Sequence, residues 1–138
     1  MLTATLKGDK ELIRRLKKIG DAVNTKDFQG VLLDAAKIIA DDARSRVNRG
    51  PTGNLEKAIN EKQWKINSNE VLVLAAVDRK IAPHAHLVEY GHELVRNGKI
   101  VGHVPAHPFW RPAVDAKADE ARRKMNEGIK RLIERATR

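Results

Sequence analysis

Eight apolar residues at helical spacing constrain this chain most: Phe28, Val31, Leu32, Ala35, Ile38, Ile39, Ala43 and Val47. Steps of three and four lay them along one side of a helix and leave Asp41, Asp42, Arg44 and Arg46 on the other. Asn24, with Asp27 three residues later, opens that helix, and Gly50-Pro51 stops it. A long helix with one oily side needs other elements to cover it. The chain has 138 residues, enough for one domain over residues 1–138 with a packed core.

The remaining text supplies both helices and strands. Met1–Lys7 alternates apolar and polar residues as a short strand does, and Gly8 breaks it. Asp9 opens a helix with apolar positions Leu12, Ile13, Leu16 and Ile19, and Gly20 is expected to close it. Thr52-Gly53-Asn54-Leu55 reads as a turn, after which Leu55, Ala58 and Ile59 form one helical turn. Lys62, Trp64 and Ile66 alternate with Glu61, Gln63 and Lys65, and Val71–Val77 is a strand apolar on both faces. The two strands pair as a hairpin. Pro83 precedes a short helix, His84–Tyr90, which Gly91 ends in left-handed conformation.

Leu94-Val95 and Ile100-Val101 flank Asn97-Gly98, the strongest short hairpin signal. Pro105 and Pro108 stiffen the exit, and Pro112 fits the first position of a final helix that runs to near Arg138. The expected fold is α+β: amphipathic helices on a small antiparallel sheet, an extended β-hairpin and a long charged C-terminal helix.

Composition excludes several chemistries. There is no cysteine, and so no disulfide, thiol nucleophile, cysteine zinc site or iron–sulfur cluster. Val71–Val77 is too short to cross a bilayer, and the first residues lack the pattern of a secretory signal, so a cytoplasmic chain without membrane contact is expected. The only serines, Ser45 and Ser68, stand in no elbow sequence, and no glycine cluster cradles phosphate. His84, His86, His92, His103 and His107 share one stretch, but their spacing forms no metal-ligand pattern. They read as solvated or hydrogen-bonded side chains. Glu89 reads as a structural carboxylate paired with Arg111, joining the short helix to the last one, in preference to a general acid or base. No catalytic residue, cofactor or metal is expected.

Lys and Arg number 27 against 18 Asp and Glu, a formal charge of +9, which points to a polyanionic or acidic partner. The cations of the last helix, from Lys117 to Arg138, are interspersed with carboxylates, the pattern of a solvated, salt-bridged face. Aromatic residues are only 4% of the chain, which argues against a base-stacking platform.

Three segments carry a resemblance. They are Thr52-Gly53-Asn54-Leu55 leading to Ile59, then Val88-Glu89-Tyr90-Gly91, then Pro108-Phe109-Trp110-Arg111-Pro112-Ala113. In this order, between an amphipathic helix and a charged terminal helix, they are similar to the tail-completion (head–tail joining, neck) proteins of long-tailed bacteriophages. The residues carrying the likeness are Thr52, Gly53, Leu55, Glu89, Tyr90, Gly91, Pro108, Phe109, Arg111 and Pro112. The resemblance implies a structural virion protein at the neck or tail top, assembled in the host cytoplasm as a hexameric ring that joins head to tail. Its partners would be other copies and the tail terminator, connector or stopper, with non-specific DNA contact in the channel. The segment His92–His103, through Leu94, Val95, Asn97, Gly98, Ile100 and Val101, is the expected partner-docking hairpin. A two-stranded ribbon is marginal alone in water, so a partner is expected to order it. The alternative reading is a basic nucleic-acid-binding accessory protein without catalysis.

Overall fold

The structure, a computed structural model, describes residues 9–23, 26–48, 50–67 and 70–138. Five helices and four strands follow in the order α1 (Asp9–Val23), α2 (Lys26–Arg46), α3 (Asn54–Ala58), β1 (Ile59–Asn67), β2 (Glu70–Val77), α4 (Ala85–Tyr90), β3 (His92–Arg96), β4 (Lys99–Val104) and α5 (Trp110–Thr137). The class is α+β. The strands form two separate antiparallel hairpins, β1–β2 as the expected small sheet against the helices and β3–β4 as the expected extended hairpin. The strand expected over Met1–Lys7 lies outside the described residues.

Helix α2 is the centre of the body. It packs along α5 and covers one face of the β1–β2 hairpin. Small residues bring the two helices together, Ala35, Ala40 and Ala43 from α2 and Ala113, Ala121 and Gly128 from α5, all buried. At Gly128 a Cβ atom would stand 2.5 Å from Val31 Cγ1, so only glycine permits this approach without movement. An ion pair between Arg135 and Asp27 closes the far end, which makes the two helices antiparallel. The core beneath them is built mostly of alanine, with Leu55, Ile59 and Phe109 as its larger side chains.

Three boundaries differ from expectation. Helix α1 runs through Gly20 to Val23, because an interior glycine costs only about 1 kcal/mol against alanine and does not by itself stop a helix. Its apolar positions Leu12, Ile13 and Leu16 remain more than half exposed, although α1 lies against α5. Helix α2 ends at Arg46, so Val47 reaches the core from the bend that follows. Pro112 is the third residue of α5, not the first.

Strand β2 is apolar on both faces, as its sequence shows, but the two faces are not equally covered. Val73, Ala75 and Val77 do face the body, but Leu74 and Ala76 face outward and are exposed, while the partly exposed Leu72 borders α2 and α5. The cause is topological: α2 covers one side of a two-stranded hairpin, and among the described residues no element covers the other. Pairing of Ile59 with Val77 and of Lys62 with Leu74 sets the register, which shifts between Gln63 and Lys65.

Arg44, expected among the solvent-facing charges, is half-buried and joins α2 to β1. Its Nη2 and Nε donate to the Ile59 carbonyl at 2.9 and 3.1 Å, and Nη2 also meets Glu61 Oε2 at 2.9 Å. The guanidinium fork thus satisfies a carbonyl at the junction of α3 and β1 while pairing a carboxylate.

Candidate functional site

The residues singled out by the sequence meet where α4 ends and α5 begins. Glu89 is the centre of this junction, a buried carboxylate 9% exposed. Its Oε2 accepts the N–H groups of Phe109 (2.9 Å) and Trp110 (3.0 Å), and its Oε1 accepts that of Arg111 (3.0 Å). The first four N–H groups of a helix have no partner within it. Here three of them go to Glu89, and the fourth position is Pro112, which has no N–H. The start of α5 is therefore capped completely by one side chain from another helix.

Burial pushes the Glu89 carboxyl up, but the N–H groups of Trp110, Arg111 and Phe109 outweigh it and hold the group below its usual range. The positive end of the α5 dipole acts in the same direction. Both of its oxygens are engaged by backbone N–H groups, the arrangement of a structural carboxylate. The expected ion pair with Arg111 is corrected. The Arg111 guanidinium is 81% exposed and lies 3.5 Å from Asp115 one turn along, and only the backbone of Arg111 meets Glu89.

Around this cap the other motif residues take structural positions. Phe109, 2% exposed, fills the core directly beneath the junction. Trp110 is only half-buried, so one of the two rings expected in the core lies at its edge. Tyr90 is 81% exposed and contributes nothing to the core. Pro108 is exposed and Pro112 half-buried, and the backbone between β4 and α5 is fastened by His107 N–H to the Val88 carbonyl at 2.8 Å. Gly53 takes a positive φ of 63° before α3, Thr52 Oγ1 accepts the Asn54 N–H at 3.4 Å, and Leu55 is buried in the core.

Gly91 turns the chain from α4 into β3. Its φ of 73° and ψ of 171° lie in a region essentially reserved for glycine, extended and not the left-handed helical cap that was expected. A Cβ there would also stand 2.7 Å from the Val104 carbonyl oxygen and 2.8 Å from the Ala106 nitrogen. The hairpin's outgoing and returning strands therefore cross at this glycine. Next to it, His92 Nδ1 is buried without a hydrogen-bond partner, against the expectation of a solvated or bonded ring.

From this crossing β3 and β4 project as a ribbon. Arg96 pairs with Lys99 across the tip, and Asn97 (φ 51°) and Gly98 (φ 74°) form the tight turn with both residues at positive φ. Leu94, Val95, Ile100 and Val101 are 45–64% exposed, and the ribbon's one substantial contact is between its own strands. Among the described residues, no group of three or more histidine or carboxylate side chains is placed to hold a metal ion. Among the same residues, no helix is long and apolar enough to cross a membrane.

The role of Arg44 as a tie between α2 and β1 was missed in reading the sequence. The only available signal was a cation near the edge of the apolar stripe. Comparison with known proteins adds one finding. No curated protein and no solved structure matches the chain. Residues 10–91, well over half of it, match the family model described as "Bacteriophage HK97-gp10, putative tail-component". That span takes in α1 through Gly91, with the Thr52-Gly53 turn and the capping Glu89, and stops before the hairpin and α5. The chain belongs to the HK97-gp10-like family of bacteriophage tail components.

Proposed function

We propose that this chain joins the phage head to the tail. Copies sit as a hexameric ring on the tail top, each acting as one domain, and the β3–β4 hairpin of each docks on a neighbour. That neighbour is the next copy or a tail terminator, connector or stopper. The observation that carries this reading is the ribbon itself, four exposed aliphatic side chains on a projection that the other described residues do not cover. Its unpaired strand edges offer main-chain hydrogen bonds to a partner, and its aliphatic residues offer area to bury. The rigid junction of Gly91, Glu89 and Phe109 fixes the direction in which the ribbon projects.

The task is contact and not turnover. Family membership supports a structural part, and the buried carboxylate of Glu89 is engaged in capping a helix. The formal charge of +9 suits passage of DNA through the ring by non-specific phosphate contact. The protein's place is then the neck of the virion, reached by assembly in the host cytoplasm.

Replacing Arg96–Lys99 by a Gly-Ser link tests the docking role. The shortened chain is expected to fold and melt as the original does, and to leave filled heads beside unattached tails when it replaces the original gene. Infectious particles from the shortened gene would overturn the reading. Hydrogen exchange in residues 92–104 is expected to slow on assembly. Sequence-selective DNA binding that survives moderate salt would instead favour a nucleic-acid accessory role.

A further inference from the structure

Two adjoining clefts lie away from the hairpin tip and share Ala76, Val77 and Arg79. One, of about 370 Å³, runs between the loop after β2 and α4, bordered by Tyr90 and Trp110. The other, of about 510 Å³, lies on the uncovered outer face of the β1–β2 hairpin over Leu74 and Ala76.

Three observations give this surface a binding character. Tyr90 holds its ring 81% exposed beside the cleft, where it serves no packing purpose in the chain. Tyrosine, tryptophan and arginine are the residues that most often carry the energy of protein contacts, and all three line one cleft here. The floor is apolar, and Leu74 continues it across the open sheet face. The charge is unbalanced. The carboxylates lining the clefts are Glu89, taken by three backbone N–H groups, and Asp78, which accepts the Lys80 N–H at 2.9 Å and Lys62 Nζ at 3.4 Å. The exposed Arg79 guanidinium, at the seam of the two clefts, has no hydrogen-bond or ion-pair partner among the described residues.

We propose that this surface docks an extended acidic segment of a neighbouring protein. An apolar side chain of that segment sits over Ala76 and Val77 against Tyr90, and a carboxylate meets Arg79. Guanidinium matches carboxylate with two parallel hydrogen bonds, and the desolvated floor strengthens them. Lys62 and Lys80 also line the second cleft, but Lys62 is paired with Asp78, and an apolar floor of Leu74, Ala76 and Val77 lies among the cations. A nucleic acid needs a continuous track of cations, so it is the poorer fit. The site shares no residue with the ribbon tip, so it can stand if hairpin docking fails, and fail if hairpin docking stands.

The probe is a fluorescent peptide, Asp-Leu-Glu-Phe-Asp-Glu, titrated with the full chain and followed by anisotropy. Saturable binding is expected, weakened at least about tenfold by Arg79→Glu and by Tyr90→Ala. Both side chains are exposed, so melting temperatures should stay within about 2 °C of the original. Arg123→Glu, on the solvent side of α5, should leave binding unchanged. The proposal is overturned by absence of saturation, by equal loss in Arg123→Glu, by full binding in Tyr90→Ala, or by displacement of the peptide by duplex DNA at lower concentration than by unlabelled peptide.

Discussion

Removing the Glu89 carboxylate should destabilise the protein more than any surface substitution near it. In Glu89→Ala the N–H of Phe109 is left buried without a partner, and those of Trp110 and Arg111 are left partly buried. Each unsatisfied buried donor costs about 1–3 kcal/mol, and loss of a helix cap typically costs about 1 kcal/mol. Because these terms overlap, the expected loss is about 3–5 kcal/mol, a large share of the roughly 5–15 kcal/mol that holds such a domain together. For a chain of this length that lowers the melting temperature by about 10–20 °C. Glu89→Gln keeps one oxygen but turns an NH2 group toward a donor, so a loss of about 2–3 kcal/mol is expected. Arg111→Ala should cost under about 1 kcal/mol, because its guanidinium meets only Asp115 in water. The pH dependence has a definite sign. The folded-state value of Glu89 is depressed, so its contribution is complete above the ordinary value of 4.5 and is lost as pH falls through the lowered one. Thermal unfolding at neutral pH and in acid measures all of this. Glu89→Ala melting within about 2 °C of the original at neutral pH, or Arg111→Ala costing as much as Glu89→Ala, would refute the capping argument.

Other perturbations read other parts of the fold. Phe109→Ala should cost about 3–5 kcal/mol in chemical denaturation, since the ring is the largest fully buried side chain described. Gly128→Ala should destabilise by about 1–3 kcal/mol despite the better helix propensity of alanine, and Val31→Ala in the same chain should recover most of it, because the clash is with Val31. Gly20→Ala meets nothing within 4 Å on an exposed helix and should stabilise by about 0.5–1 kcal/mol, seen as a small rise in melting temperature.

Much of this architecture was legible in the sequence, and the exceptions share a physical cause. Asn97-Gly98 predicts its hairpin because few dipeptides accept two positive φ angles in succession. The stripe from Phe28 to Ala43 predicts α2 because a single face must be covered. The charge pair expected between Glu89 and Arg111 does not form: Glu89 does join α4 to α5, but its partners are backbone N–H groups. A sequence displays side-chain charges and hides main-chain donors, which become available only when a helix begins at that place. The exposed face of β2 was illegible for another reason. Leu74 and Ala76 are apolar as buried residues are, and only the topology reveals that no described layer lies over them. Gly20 shows the limit of punctuation, since a glycine weakens a helix without ending it.

The central claim is that this tail component makes the connection between head and tail. Electron microscopy of the particles that accumulate when its gene is disrupted tests that claim most directly. The account predicts DNA-filled heads beside complete but unattached tails, and normal joined virions would contradict it.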